Sequence, residues 1–187
     1  MKKIKTKLKD AYILEPTVIG DHRGFFMESY NKKIFAELGI DFNFVQDNHS
    51  LSKLPGTVRG IHYQLEPKAQ TKLVRVISGA IYDVIVDIRK GSPTYGQWQG
   101  FILSAENKKQ LLVPRGFGHA FCTITSDVEV QYKVDELYSS EHDSGISWDD
   151  PILAIDWPTS SPILSEKDTK HPTLKNARNN FTYEASK

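Results

Sequence analysis

An imidazole, a phenol and an ammonium occupy three places in this sequence where strand alternation turns them the same way as apolar neighbours: His62 in VRGIHYQ, Tyr132 in VEVQYKV and Lys72 in KLVRVIS. Strand side chains alternate between faces with period two, so His62 shares a face with Val58 and Gln64. Tyr132 shares one with Val128, Val130 and Val134, and Lys72 with Val74 and Val76. Each has an ordinary explanation when taken singly. A histidine in a strand is commonly a satisfied core or rim residue, and an interior tyrosine commonly ties its hydroxyl to backbone. The lysine is harder to dismiss, because a buried ammonium is costly unless an anion meets it.

Together the three groups suit proton abstraction beside a carbonyl. The base takes the α-proton, the cation holds the enolate oxygen, and the phenol returns a proton from the opposite face. A ketone α-proton is about a dozen pKa units less acidic than an imidazolium, which is about 16 kcal/mol. Histidine alone cannot close that gap, whereas a preorganised positive charge at the developing oxyanion in a site that excludes water is large enough to matter.

The elements that must position these groups read as short strands. KLVRVISGAIYDVIVDIR, from Lys72 to Arg89, reads as two strands hinged at Ser78-Gly79. Its second half places Tyr82, Val84, Val86 and Ile88 on one face and Asp83, Asp87 and Arg89 on the other, an antiparallel hairpin with one covered face. Similar segments are VRGIHYQL (58–65), WQGFIL (98–103), KQLLVP (109–114), HAFCTI (119–124) and VEVQYKV (128–134), separated by turn signals such as Lys90-Gly91-Ser92-Pro93. This spacing predicts an all-β sandwich or small antiparallel barrel, whose inward polar residues surround any ligand held in its mouth. Helical pattern is confined to Asn31–Leu38, where Ile34, Phe35 and Leu38 fall together before Gly39, and to a short turn or two after Ser165. The Pro-rich PILAIDWPTSSP (151–162) reads as a loop leading into a C-terminal extension that packs on the barrel.

Bulk properties narrow the function classes. The chain's 187 residues suit a single domain, with an N-terminal arm over about 1–25 and a C-terminal extension over about 150–187. A formal charge of +1, from 24 basic and 23 acidic side chains, gives no field that favours nucleic acid or an anionic membrane. The basic start MKKIKTKLKD is followed by no apolar signal core, and no transmembrane-length apolar run occurs, so a cytoplasmic location is expected. Cys122 is the only cysteine, which excludes an internal disulfide and a thiolate metal cluster; its setting in HAFCTI is that of a small core residue.

Longer motifs connect these elements: DHRGFFMESY (21–30), FVQDNHSLSKLPGTVRGIHYQ (44–64), KLVRVISGAIYDVIVDIRKGSPTYGQW (72–98), PRGFGHAF (114–121), VQYKVDELYS (130–139), GISWDDP (145–151) and LSEKD (164–168). Along nearly its whole length the sequence resembles the dTDP-4-dehydrorhamnose 3,5-epimerases, cupin-fold enzymes of sugar-nucleotide metabolism. The resemblance implies an all-β cupin or jelly-roll double-sheet barrel with a few short helices. It also implies a homodimer formed through edge strands or the N-terminal arm. The implied reaction is inversion at C3 and C5 of a dTDP-ketosugar, with no metal, flavin or nicotinamide cofactor.

It further implies His62 as general base, Tyr132 as general acid, Asp168 as the carboxylate that orients His62, and Lys72 beside the C4 oxygen. Contacts to nucleotide, diphosphate or sugar fall on Arg23, Glu28, Gln46, Asp47, Asn48, Arg59, His119, Asp143 and Lys167, with Tyr138 stacking on the base. Arginines suit a diphosphate through paired donors, and a tyrosine face suits a flat base. Several of these residues also have plain readings. Ser165-Glu166-Lys167-Asp168 fits a helix-capping box, Gln46-Asp47-Asn48 a polar turn, and Arg23 and Lys167 solvated surface charges. Arg59 has the opposite parity to His62, so both reach one cavity only if a bulge or twist intervenes near Gly60, or if Arg59 meets a neighbouring subunit. Asp143 stands where the family usually carries glutamate, which puts its substrate contact in doubt, and PRGFGHAF departs from the commoner PEGFAHGF.

Three rival functions remain. A metal-dependent cupin needs a His-x-His pair with further ligands, and here Gln64 takes the second histidine's position. An enzyme acting on a single carbon, or a ketoisomerase, keeps the sugar-nucleotide site and differs in its use of the residue at Tyr132. A non-catalytic sugar-binding cupin has little use for an interior base, acid and cation together.

Overall fold

The structure, a computed structural model, describes residues 1–184. Its strands in chain order are β1 (Lys2–Lys5), β2 (Tyr12–Glu15), β3 (Val18–Asp21), β4 (Gly24–Met27), β5 (Gln46–Ser52), β6 (Val58–Gln64), β7 (Lys72–Ser78), β8 (Ala80–Asp87), β9 (Trp98–Ser104), β10 (Gln110–Val113), β11 (Phe117–Thr123), β12 (Val128–Val134) and β13 (Asp143–Gly145). One helix, α1 (Lys32–Glu37), lies between β4 and β5, and a 3-10 turn spans Asp168–Lys170. Asn31 caps α1 by accepting from the amides of Lys33 and Ile34, while Phe35 anchors it in the core. No described helix is long and apolar enough to cross a membrane.

Two antiparallel sheets form the double-sheet jelly-roll barrel. One has six strands in the order β1-β2-β10-β7-β12-β5 and the other five in the order β13-β6-β11-β8-β9. Val74, Val76 and Val130 of the first sheet meet Ile81, Ile85 and Phe121 of the second in the central core. This is the two-layer burial that alternating strands require. A second apolar cluster, including Ile61, Tyr63, Val86, Ile88 and Ile146, lies on the other side of the five-stranded sheet. Leu153, Leu174, Phe181 and Trp157 of the C-terminal extension cover it.

The hairpin expected over Lys72–Arg89 is corrected. β7 pairs with β10 and β12, and β8 with β9 and β11, so the two segments lie in different sheets. Gly79, at φ +74°, turns the chain from one layer to the other. The single covered face is corrected too. Val86 and Ile88 lie beneath the C-terminal extension, and the opposite face, with Ile81, Asp83 and Ile85, points into the barrel. Alternation located the two faces of β8 but could not say that a second layer covers each.

The C-terminal extension is built by backbone pairing as well as by packing. Val58 N donates to Ile163 O at 2.9 Å and Ile163 N to Gly56 O at 2.9 Å, tying residues 163–168 to the start of β6. Buried Asp150 accepts from the amides of Ile152, Leu153 and Leu174, which folds the extension back on itself. At the other end of the chain, β1 and β2 belong to the six-stranded sheet, whereas the β3–β4 hairpin is a separate two-stranded unit exposing Ile19, Phe25 and Phe26.

β6 carries the irregularity that matters for the site. Against β11, His119 faces His62 but Phe121 faces Arg59, so one extra residue sits in β6 between the two pairs. The bulge reverses the parity, and Arg59 and His62 line the same cavity. Gly60 makes it possible: its φ is +121°, and a Cβ there would lie 2.5 Å from Ala120 Cβ and 2.6 Å from His119 O. Gly60→Ala is therefore expected to cost about 2–4 kcal/mol from backbone strain and overpacking, read as a lower Tm by calorimetry, with loss of the site's geometry.

Candidate active site

Between the sheets lies a cavity of about 330 Å3, lined by Arg59, His62, Lys72, His119, Tyr132 and Asp168 with Ser50, Thr57, Val58, Phe121, Ile163, Leu164 and Ser165. Its size falls at the lower end of the range for small-molecule sites. His62 and His119 stand on adjacent strands of the five-stranded sheet, while Lys72 and Tyr132 stand on β7 and β12 of the facing sheet. Imidazole and phenol thus border one cavity from opposite layers.

His62 Nε2 lies 2.5 Å from Asp168 Oδ1, a charge-assisted contact that commits this nitrogen and leaves Nδ1 as the imidazole's other basic atom. Ser165 Oγ donates to Asp168 Oδ2 at 2.8 Å and accepts from Asp168 N at 3.1 Å. The capping-type turn and the histidine partner are therefore one structure, since the turn fixes the carboxylate that fixes the ring. Burial alone would raise the Asp168 pKa, but hydrogen bonds from His62 and Ser165 and the His62 charge hold it below the usual carboxylate range. It is an anion when it meets His62.

On the facing sheet, burial pushes the Lys72 ammonium down to about 8, with Asp83 and Asp143 pulling it partly back. Burial raises the Tyr132 phenol, opposed by Arg59 and reinforced by Asp143, so it keeps its proton at neutral pH. His119 Nε2 meets Asp83 Oδ1 and Oδ2 at 2.9 and 3.1 Å in the barrel interior. Arg59 donates to Ser52 Oγ at 3.0 Å and to Leu51 O at 3.2 Å, which steers its guanidinium along the wall.

The other expected contacts are not among the residues that line the cavity, although the charge of Asp143 is felt by both Lys72 and Tyr132. Tyr138, exposed, donates to Asp143 Oδ2 at 3.1 Å, and Lys167 donates to the same oxygen, so Asp143 is held by two other expected contact residues. On the edge strand β5, burial alternates so that Gln46 and Asn48 fall on the inner side and Asp47 on the outer, where it pairs with Lys133 at 2.9 Å. Gln46 Nε2 donates to Asn48 Oδ1 at 2.8 Å. Arg23 and Glu28 are not brought to the cavity within one chain. Arg23 sits at the turn of the β3–β4 hairpin, 2.5 Å from Asp21, and Glu28 accepts from Asn31.

Two positions bear on the rival readings. Gln64, standing where a second metal histidine would, spends its amide on Lys68 O, Leu137 O and Ser139 N. Cys122 is buried, and burial pushes its thiol up to about 11, as a core cysteine requires.

Three site residues escaped the sequence reading. Alternation along β8 puts Asp83 on an uncovered strand face, and the sequence around Ser165 reads only as a cap. His171 carries no pattern of its own in the C-terminal tail, yet its ring stands 5.3 Å from that of His62.

The family described as dTDP-4-dehydrorhamnose 3,5-epimerase matches residues 5–176. An enzyme of that name from Shigella flexneri is 54% identical over 90% of this chain and 93% of its own length. A crystal structure of the Bacillus anthracis enzyme with TDP and PPi bound superposes with a TM-score of 0.91 at 60% identity, covering 92% of this chain and 98% of that one. One from Legionella pneumophila, in complex with dTDP-4-keto-L-rhamnose, superposes with a TM-score of 0.94 at 44% identity, covering 98% and 99%. Barrel and relatives together define the class, a jelly-roll isomerase of sugar nucleotides. Within that class, the chain belongs to the dTDP-4-dehydrorhamnose 3,5-epimerase family.

Lys72 generates a stability test with a fixed sign. Its folded pKa of about 8 lies below the unfolded value, so unfolding takes up a proton between about pH 8 and the ordinary lysine range, and stability rises with pH across that window. Lys72→Met is expected to abolish this rise and, below pH 8, to stabilise the fold by on the order of 3 kcal/mol, measured by denaturant titration at several pH values.

Proposed function

We propose that this chain converts dTDP-4-dehydro-6-deoxy-D-glucose into dTDP-4-dehydro-L-rhamnose by inverting C5 and C3 beside the C4 ketone. The observation that carries the reading is the arrangement of His62, backed by anionic Asp168, in one sheet and the proton-bearing Tyr132 in the other, both bordering one cavity. His62, with Nε2 held by Asp168, accepts the α-proton on Nδ1. Lys72 places positive charge at the C4 oxygen as the enolate forms, and Tyr132 delivers a proton from the opposite face. The ketone makes both neighbouring carbons acidic, so the same base and acid serve C5 and C3 in turn.

Arg59 and His119, on the cavity wall, are assigned to the diphosphate and sugar, with Asp83 fixing the ring of His119. Gln46, Asn48, Tyr138, Asp143 and Lys167 are assigned to the nucleotide side of the rim, with Asp47 nearby on the outer face of β5. Arg23 and Glu28 do not line the cavity of their own chain. We therefore assign them to the partner's cavity in a homodimer joined through the N-terminal hairpin, whose exposed Ile19, Phe25 and Phe26 give that contact its apolar area. The expected location is the cytoplasm.

Incubation with the ketosugar in deuterium oxide tests the reading. Deuterium at both C3 and C5 is expected; label at one carbon would favour a single-carbon epimerase, and label at neither would remove enolate chemistry. His62→Ala is expected to abolish exchange. Tyr132→Phe is expected to retain some exchange but lose inversion, because the base still works when the opposing acid is gone. The kcat/KM profile should fall as pH rises through about 8, where Lys72 loses its proton, and should regain no activity at higher pH.

A further inference from the structure

Behind the His62–Asp168 pair lies a slot that only the absence of a side chain leaves open. Gly145 on β13 is the cross-strand partner of His62, and a Cβ on Gly145 would stand 2.5 Å from His171 Cε1 and 2.6 Å from both ring nitrogens. The His171 ring fills this slot. It meets His62 nearly edge-on, at an interplanar angle of 71°. Its Nε2 is 3.8 Å from Asp168 Oδ1, the same oxygen that holds His62, and has no hydrogen-bond partner among the described residues. The backbone around it is fixed on both sides, by the 3-10 turn Asp168–Lys170 before it and by Ser147 N donating to Pro172 O at 2.8 Å after it. His171 does not line the substrate cavity.

Resting on the reading of His62 as the base, we propose that His171 is a positioning residue: wedged over Gly145, it fixes the ring plane of His62 and keeps that ring's Nε2 on Asp168. An imidazole held only by one hydrogen bond can pivot about it. A second ring packed edge-on against it removes that freedom, and a base that has drifted by a fraction of an ångström transfers protons far more slowly. Burial, with the His62 charge acting in the same direction, lowers the His171 pKa, so the wedge is neutral and adds no charge to compete for Asp168.

The test is His171→Ala beside His171→Gln in the full-length protein. His171→Ala is expected to lower kcat about 10- to 100-fold with KM and dTDP affinity unchanged, because the wedge touches the base and not the ligand. His171→Gln, which refills part of the slot, is expected to recover much of that loss. In 15N spectra of labelled imidazoles, His62 should show one dominant tautomer in the parent protein and averaged nitrogens in His171→Ala. An unchanged kcat with an unchanged His62 spectrum overturns the proposal, as does a parallel loss of dTDP binding, which would make the residue structural or ligand-contacting. If His171→Ala does not fold, the same kcat and spectral readings on His171→Gln decide, with parent-like values overturning the proposal. Absence of exchange in the parent protein would instead remove the epimerase reading on which the proposal rests.

Discussion

Residues 62 and 168 are 106 positions apart in the chain, and the 2.5 Å contact between them is the constraint on which the site depends. On its way to Asp168 the C-terminal extension buries Leu153 on the outer face of the five-stranded sheet and pairs Ile163 with the start of β6, and Leu174 and Phe181 beyond Asp168 complete the cover. The apolar burial supplies the free energy and the backbone pairing supplies the register. The Ser165 turn then aims the carboxylate. A segment that packs as a cover over the sheet thus also delivers the carboxylate that holds His62.

The barrel handles buried charge in two ways. Asp87, four residues beyond Asp83 on β8, is paired with Arg89 through two oxygens, accepts from Ser92 and Thr94, and shares the arginine with Asp10. Burial works against the Arg89 charge, but Asp87 and Asp10 more than compensate, and its pKa is raised. That network is closed and serves to hold the fold. Around the cavity the balance is reversed for Lys72, whose pKa is driven down to about 8 because its neighbours compensate only in part. An incompletely compensated cation beside a cavity suits an anionic group there, and the rest of the core carries the stability cost.

The β6 bulge shows how a local exception serves the site. A regular strand would point Arg59 and His62 to opposite sides, one into the cavity and one into the apolar layer beneath the extension. The extra residue at Gly60 and Ile61 puts both on the inner wall while Ile61 and Tyr63 stay in the outer cluster. Gly60 fits because the neighbouring strand passes too close for any side chain. Gly145 has a similar role one strand away, leaving room for the ring of His171.

The sequence by itself determined the strands, the faces of Lys72 and Tyr132 and the apolar stripes, because period-two alternation is a local property that survives into any sheet. Its motifs also identified the family and the all-β barrel and named six residues that line the cavity, Arg59, His62, Lys72, His119, Tyr132 and Asp168, and the conflict between Arg59 and His62 already pointed to a bulge near Gly60. Only the tertiary structure decided which strands pair. Ser78-Gly79 reads locally as a hairpin turn, yet the chain crosses there between layers, because strand pairing depends on distant partners. The carboxylate face of β8 read as solvent-exposed, since alternation cannot tell water from a polar cavity, and Asp83 was lost with it. Asp168 was reached through a motif and not through spacing, and His171 through neither. Both lie against His62 across the fold, and proximity between distant residues has no signature in a single chain of letters.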